Sequence, residues 1–246
     1  MCSDSEFIYS GGFKSTRSKI YHYFSPSCRV LFVLSGCECN ARQAIDWCKD
    51  RIDSIPVNQQ TYKQVKTVIE NAMVEVYDRY VYNVPSEFQP DHLFQLIIGI
   101  KTEGMPRAKL LSTDYATVTE CDSMVCSGAG THFFEYLTQS LYRPDIDHES
   151  TFLACVYGLH EAKANIQTCG GRSVFAFLSD NGQINMADGY AINELDKAIQ
   201  EFGLYVLNLR GAVFRESTSE ESLESALTTC LILTDQALSV KLKAGV

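Results

Sequence analysis

The stretch Arg-Val-Leu-Phe-Val-Leu-Ser-Gly, residues 29–36, is a nearly continuous apolar run in a chain of 246 residues. Branched and aromatic side chains without polar alternation are typical of a strand that is buried on both faces. A second run of this kind, Leu-Phe-Gln-Leu-Ile-Ile-Gly-Ile over residues 93–100, predicts a second buried strand. Strands covered on both faces require further layers of secondary structure on either side.

Helical periodicity on both sides of these strands supplies the further layers. The meander that continues from residue 100 to about residue 120 predicts antiparallel pairing, and Asp180-Asn-Gly182 predicts a hairpin turn. Two helices interrupt the strands twice, which predicts an α+β protein with two helical layers over two packed sheets. The predicted helices cover about residues 40–52, 62–80, 133–141 and a segment capped by Asp147. Residues 191–246 are predicted to add a helix, a strand and a closing helix that begins at the capping box Ser217–Glu220.

Charge and composition exclude several classes of function. The formal net charge is −9 and the isoelectric point is about 5.0, which disfavours nucleic acid as a partner because phosphate binding needs clustered Lys and Arg. No apolar run is long enough to span a bilayer, and the polar N-terminus lacks the features of a secretory signal. We therefore predict a cytoplasmic protein that binds neither nucleic acid nor membrane.

The ten cysteines predict reduced, mostly structural thiols rather than disulfides or a metal site. Most of them lie inside apolar stretches, where a free thiol behaves as a small hydrophobic group. Cys37-x-Cys39 lacks the spacing of a zinc knuckle, and the five histidines show no ligand spacing. The sequence therefore predicts no metal and no cofactor.

Several segments, taken in order, resemble proteasome subunits. These are Lys19-Ile20 before the first buried strand, the Pro106–Asp114 part of the meander, Ser127-Gly-Ala-Gly-Thr131, and Cys169-Gly-Gly171 before a strand. Over about residues 15–185 the chain is similar to 20S proteasome subunits of the α and β type, closest to β-type subunits and stand-alone prokaryotic relatives, in the N-terminal-nucleophile (Ntn) hydrolase superfamily. The resemblance implies a four-layer αββα sandwich in one domain, residues 1–246, of which residues 186–246 form the C-terminal strand and helices.

The resemblance also implies site residues. Members of this family cleave amides with an N-terminal Thr, Ser or Cys whose own α-amine acts as base, helped by a nearby Lys that lowers the pKa of the nucleophile. Backbone N–H groups of a glycine-rich turn stabilise the oxyanion. The family roles map onto Lys19, Asp4, Thr131 and Cys169, although each also has a plain alternative: an exposed lysine, an acid near a terminus, a helix cap and a structural thiol.

Two departures from the family pattern concern the catalytic groups. The carboxylate expected near residue 165 is replaced by Asn165 or Ile166. The alignment of Asp4 and Lys19 also implies that the strand carrying the nucleophile would precede Met1. Three hypotheses remain open: a nucleophile lies upstream, the protein is naturally non-catalytic, or Met1 is removed and Cys2 becomes the nucleophile.

The sequence thus leaves two function hypotheses from different classes. The first is a peptidase or amidohydrolase that acts on a peptide or amide substrate, by resemblance a threonine-type or related N-terminal-nucleophile enzyme. The second is a catalytically inactive structural subunit, a pseudoenzyme within a proteasome-like oligomer. Both imply self-association into a ring or dimer, by analogy with the family.

Overall fold

The computed structural model describes residues 1–9, 12–138, 147–187, 189, 190 and 192–201. Its strands are β1 (Cys2–Ser3), β2 (Glu6–Ile8), β3 (Lys14–Thr16), β4 (Ile20–Phe24), β5 (Cys28–Gly36), β6 (Phe94–Thr102), β7 (Lys109–Asp114), β8 (Thr117–Cys121), β9 (Val174–Leu178) and β10 (Ile184–Met186). Its α-helices are α1 (Glu38–Asp53), α2 (Tyr62–Tyr77), α3 (Gln89–His92), α4 (Thr131–Thr138), α5 (His148–Asn165) and a stretch over residues 192–201. Within the described residues, no helix is both long and apolar enough to cross a bilayer.

Strands β4 to β8 form one antiparallel sheet in sequence order. The β5–β6 register places Leu31 opposite Gly99 and Phe32 opposite Ile98. Successive side chains point to opposite faces of a strand. Phe32 accordingly packs with the core under helices α1 and α2, while Leu31 packs against the second sheet. This explains why β5 is apolar at consecutive positions, as the sequence predicts.

Strands β1, β9 and β10 form the second sheet, in the order β1-β9-β10. Its outer face packs against α5, where Phe152 meets Phe175 edge to face with ring centroids 5.1 Å apart. Its inner face packs against the larger sheet through residues such as Ala176. The described chain therefore has the layers helix, sheet, sheet, helix, and the predicted αββα sandwich is confirmed.

The N-terminal segment departs from the sequence analysis. The sequence predicts the first clear strand at Arg29, whereas the structure has four short strands before it. Strands β1 to β3 contain only two or three residues each, and β1 pairs with β9, far along the chain. Strands this short carry no readable periodicity, and pairing over such a separation leaves no local signal.

Other local predictions have mixed outcomes. The Asp147 cap is confirmed, because its Oδ1 accepts from the N–H of Ser150 at 2.8 Å. The hairpin at residues 180–182 is confirmed between β9 and β10. The helix predicted to reach Tyr80 is α-helical only to Tyr77 and continues as a π-helix, Asp78–Tyr82. The predictions for residues 141, 203–209 and the closing helix from residue 217 lie outside the described residues.

The turn from β5 into α1 depends on a glycine. Gly36 has φ +80°, and a Cβ there would lie 2.5 Å from the carbonyl oxygen of Leu93. Gly104 has a similar φ of +82°, but a Cβ there would have no neighbour within 4 Å. An alanine at position 104 would therefore suffer only the strain of a positive φ, whereas an alanine at position 36 would suffer this strain and steric overlap with Leu93.

We expect Gly104→Ala to lower the free energy of unfolding by about 1 kcal/mol, the cost of left-handed backbone in a residue with a side chain. Gly36→Ala should cost about 3 kcal/mol or more, because the same strain is joined by overlap with backbone. Urea denaturation of both variants measures the difference. Equal losses would show that the Leu93 contact does not constrain the turn.

Candidate active site

Lys19 and Asp4 form a largely buried ion pair. Lys19 Nζ donates to Asp4 Oδ1 at 2.6 Å, and the two side chains are 14% and 12% exposed. The second carboxylate oxygen, Oδ2, accepts from the N–H of Gly170 at 3.0 Å. The structure thus brings together two residues that the sequence analysis selected fifteen positions apart, together with the glycine pair that the resemblance also singled out.

Backbone hydrogen bonds explain why Asp4 is held in this position. The N–H of Ser5 donates to the Gly170 carbonyl at 3.2 Å, and the hydroxyl of Ser5 accepts from the N–H of Arg172 at 2.7 Å. On the lysine side, the N–H of Leu34 donates to the Lys19 carbonyl at 3.0 Å. The ion pair therefore lies between segments whose backbones are already fixed.

The glycine-rich turn lies close to Cys169. A Cβ on Gly130 would lie 2.9 Å from Cys169 Sγ. Burial raises the pKa of the Cys169 thiol, and the Asp4 carboxylate raises it further. Cys169 is therefore a neutral thiol at neutral pH.

Thr131 begins α4 beside the same turn. Its hydroxyl donates to the Gly128 carbonyl at 2.7 Å, and its N–H lies 3.1 Å from the same oxygen. The hydroxyl thus closes its own turn rather than pointing at Lys19. Thr131 is the first residue of α4, and its hydroxyl donates to a carbonyl rather than accepting from a helix N–H, as a capping side chain does.

A cavity of about 380 Å³ lies beside the first four residues of the chain. In the described sheet, β1 is an end strand, so one of its edges is not paired with another described strand. Lys19, Gly130 and Thr131 line the cavity, together with Ser35 from the end of β5. Space therefore exists next to the Lys19–Asp4 pair. Four thiols line it: Cys2, Cys126, Cys155 and Cys169.

The group that most affects the pKa of the Cys2 thiol is Cys155, whereas the role of nucleophile would require an activating cation such as Lys19. The neighbouring thiol of Cys155 on α5, together with burial, holds the pKa of Cys2 well above its ordinary value, and Cys2 in turn lowers the pKa of Cys155 to about 7. The amine of Met1 donates to the Ala176 carbonyl at 2.8 Å. Lys19 is bound to Asp4, the other charged residue that the resemblance selects.

The position of the missing carboxylate is filled by an amide with its own partner. Asn165 Nδ2 donates to the carbonyl of Glu161 at 2.8 Å and lies 3.3 Å from Glu161 Oε2. Ile166 follows as the C-terminal cap of α5. Neither residue supplies a carboxylate to the cavity.

A hydrogen-bonded chain beside the cavity was missed in the sequence analysis. Ser35 Oγ lies 2.5 Å from Ser127 Oγ, and Ser127 Oγ donates to Gln95 Oε1, also at 2.5 Å. Ser35 and Gln95 are opposite each other in the β5–β6 register. Pairing the two predicted strands residue by residue would have found these two, but not Ser127. Among the described residues, no group of three or more His, Cys, Asp or Glu side chains is placed to hold a metal ion.

We expect Lys19→Met to lower the free energy of unfolding by about 2 kcal/mol, because it leaves the Asp4 carboxylate largely buried without its cation. Lys14→Met is the matched control. Lys14 pairs with Glu6 at 2.7 Å on the neighbouring hairpin but is 49% exposed, so its loss should cost no more than about 0.5 kcal/mol. Chemical denaturation checks both values, and similar losses would mean that the Lys19 pair contributes no more than a surface ion pair.

Comparison with known proteins shows which solved structures share this fold. The chain matches no protein-family model and no curated protein. Among solved structures, it resembles Anbu (ancestral beta-subunit) from Yersinia bercovieri with a TM-score of 0.68 and 13% identity, covering 84% of this chain and 91% of that one. Anbu from Hyphomicrobium sp. strain MC1 gives a TM-score of 0.67, 11% identity and coverage of 84% and 91%. The helical assembly of the Anbu complex from Pseudomonas aeruginosa gives a TM-score of 0.66 and 12% identity. The match covers 85% of this chain and 90% of that one.

These findings correct the assignment drawn from the sequence. The identification as a 20S proteasome subunit is wrong, because no family model matches and the structural neighbours are Anbu proteins. At identities this low, the likeness establishes the fold alone. The chain has the proteasome-like fold of the Ntn hydrolases.

Proposed function

We propose that this protein is a self-associating, non-catalytic subunit of the proteasome-like type, in which the Lys19–Asp4 pair braces the fold. The observation that carries the proposal is the arrangement around the carboxylate. Both oxygens of Asp4 are engaged, one by Lys19 and the other by the Gly170 N–H. The pair therefore joins three separate segments, which is a structural role that needs no substrate.

The three candidate nucleophiles that the sequence selects near the pair support the same proposal. Nucleophilic catalysis needs a side chain that loses its proton easily and lies within reach of a base. The thiols of Cys2 and Cys169 both have raised pKa values, and the hydroxyl of Thr131 donates to a backbone carbonyl. Lys19 lowers the pKa of Cys169, but burial and the Asp4 carboxylate outweigh this effect.

A likeness and a surface feature support self-association. One structural neighbour is described as a helical assembly of the Anbu complex. On α4, in the outer helical layer of the present chain, the aromatic ring of Tyr136 is 76% exposed. Large exposed aromatic groups are enriched where proteins meet. We propose a homo-oligomer, a ring or another repeating assembly, in the cytoplasm.

One observation favours a second candidate, a peptidase or amidohydrolase. The cavity beside Lys19 leaves room for a reacting group, and the turn containing Gly130 lies on its wall. A nucleophile placed there would meet a lysine charge and backbone N–H groups, which are the components of amide hydrolysis in this superfamily. The substrate would be a peptide or another amide.

Activity and N-terminal identity separate the two candidates. Intact mass and N-terminal sequencing first establish that the protein begins at Met1 or Cys2. We then expect it to hydrolyse a panel of fluorogenic peptides no faster than the Lys19→Met variant does. Cys2→Ser should also leave this background unchanged. Turnover that depends on Lys19, or a native terminus at an upstream Thr or Ser, would contradict the non-catalytic proposal and support the hydrolase.

The assembly is tested separately. We expect wild-type protein to exceed the mass of one chain in light scattering, and Tyr136→Asp to shift it towards the monomer, because a carboxylate at a buried interface is costly. Phe88→Asp is the matched control, since Phe88 is also exposed, at 54%, but lies in the loop before α3. A wild-type monomer at all concentrations would contradict self-association, and equal effects of the two variants would exclude the α4 surface.

A further inference from the structure

Two cysteines at the start of α1 form a close thiol pair that the proposed function does not use. Cys37 Sγ and Cys39 Sγ are 3.2 Å apart, and both thiols are free. Cys39 is exposed and Cys37 is half-buried. Neither lines the cavity beside Lys19. From its spacing alone this Cys-x-Cys motif predicts only structural thiols.

The backbone holds this pair in a fixed position. Gly36 makes the tight turn before it, and the N–H of Cys37 donates to the Leu93 carbonyl at 2.8 Å. The N–H of Ala41 donates to the Cys37 carbonyl at 3.0 Å, which begins α1. The two sulfur atoms therefore project from a rigid turn and from the first turn of a helix of sixteen residues.

We propose that Cys37 and Cys39 form a thiol–disulfide exchange site, which reacts with a low-molecular-weight disulfide and closes into an intramolecular disulfide. An S–S bond is about 2.05 Å long, so the sulfur atoms must approach by roughly 1 Å. Rotation of the exposed Cys39 side chain supplies this approach without moving the turn. The proximity of the second thiol favours closure over a lasting mixed disulfide.

The chemistry proceeds in two balanced steps. The thiolate of the exposed Cys39 attacks one sulfur of the small disulfide, forms a mixed disulfide and releases one small thiolate. The thiolate of Cys37 then attacks Cys39 Sγ, forms the Cys37–Cys39 bond and releases the second small thiolate. Two protein thiols are oxidised, one disulfide is reduced to two thiols, and the two protons pass to the departing thiolates.

Burial gives the second step a pH dependence. It raises the pKa of Cys37 to about 11, so this thiol is almost wholly protonated at neutral pH. The thiolate fraction of such a group rises about tenfold for each pH unit below that value. Closure of the mixed disulfide should therefore accelerate as pH rises from neutral.

The sequence makes the test direct. Trypsin cleaves after Arg29 and Arg42, and the peptide of residues 30–42 contains Cys37 and Cys39 as its only cysteines. The folded full-length protein is incubated with oxidised glutathione, quenched in acid, alkylated and digested, and the peptide is weighed. We expect the wild-type peptide to lose two hydrogen atoms and resist alkylation. Cys37→Ser should instead accumulate glutathione on Cys39, at least about tenfold more than wild type.

Cys121→Ser is the matched control. Cys121 is a half-buried thiol on β8 whose sulfur contacts Ser112 Oγ at 3.2 Å, so its removal should leave closure at residues 37 and 39 unchanged. Wild-type protein that retains glutathione on Cys39, or in which both thiols of the peptide remain alkylated while Cys121 is modified, would overturn the proposal. The readout is independent of hydrolysis and assembly, so its failure leaves the proposed function untouched.

Discussion

The carboxylate of Asp4 connects parts of the chain that no local interaction joins. One oxygen binds the Lys19 ammonium and the other binds the N–H of Gly170, with both charged side chains largely removed from solvent. A buried ion pair of this kind contributes little net stability by itself, but the loss of one partner is costly. It therefore acts as a further constraint on β1, the segment before β4 and the turn before β9, in addition to the backbone hydrogen bonds that hold them.

This constraint also shapes the chemistry of the cavity. With Lys19 bound to Asp4, the lysine charge lowers the pKa of Cys169 less than burial and the Asp4 carboxylate raise it. The neighbouring thiols respond to burial and to one another: Cys2 and Cys169 remain protonated, whereas the pKa of Cys155 is lowered. A fold that serves amide hydrolysis elsewhere is here compatible with a supporting role, which is why we place assembly before catalysis.

The cysteines of this chain differ widely in burial and in their neighbours. Cys28 and Cys48 are buried in the core, where burial raises the pKa of each thiol to about 12 and makes it an inert packing group. Cys37 and Cys39 lie at a helix start with one sulfur exposed and the other within contact distance. Reactivity of a thiol depends on exposure and on its neighbours, and composition alone shows neither.

The sequence by itself determined the layers of this protein. The doubly apolar runs of β5 and β6 required cover on both faces, and the helical periodicity beside them supplied it. It also selected Lys19 and Asp4, through a resemblance whose family assignment was too narrow. Only the tertiary structure decided what these residues contact. The pairing of β1 with β9, the Gly170 bond to Asp4 and the Cys2–Cys155 contact join positions more than a hundred residues apart, and such contacts have no periodicity or spacing from which a single sequence could predict them.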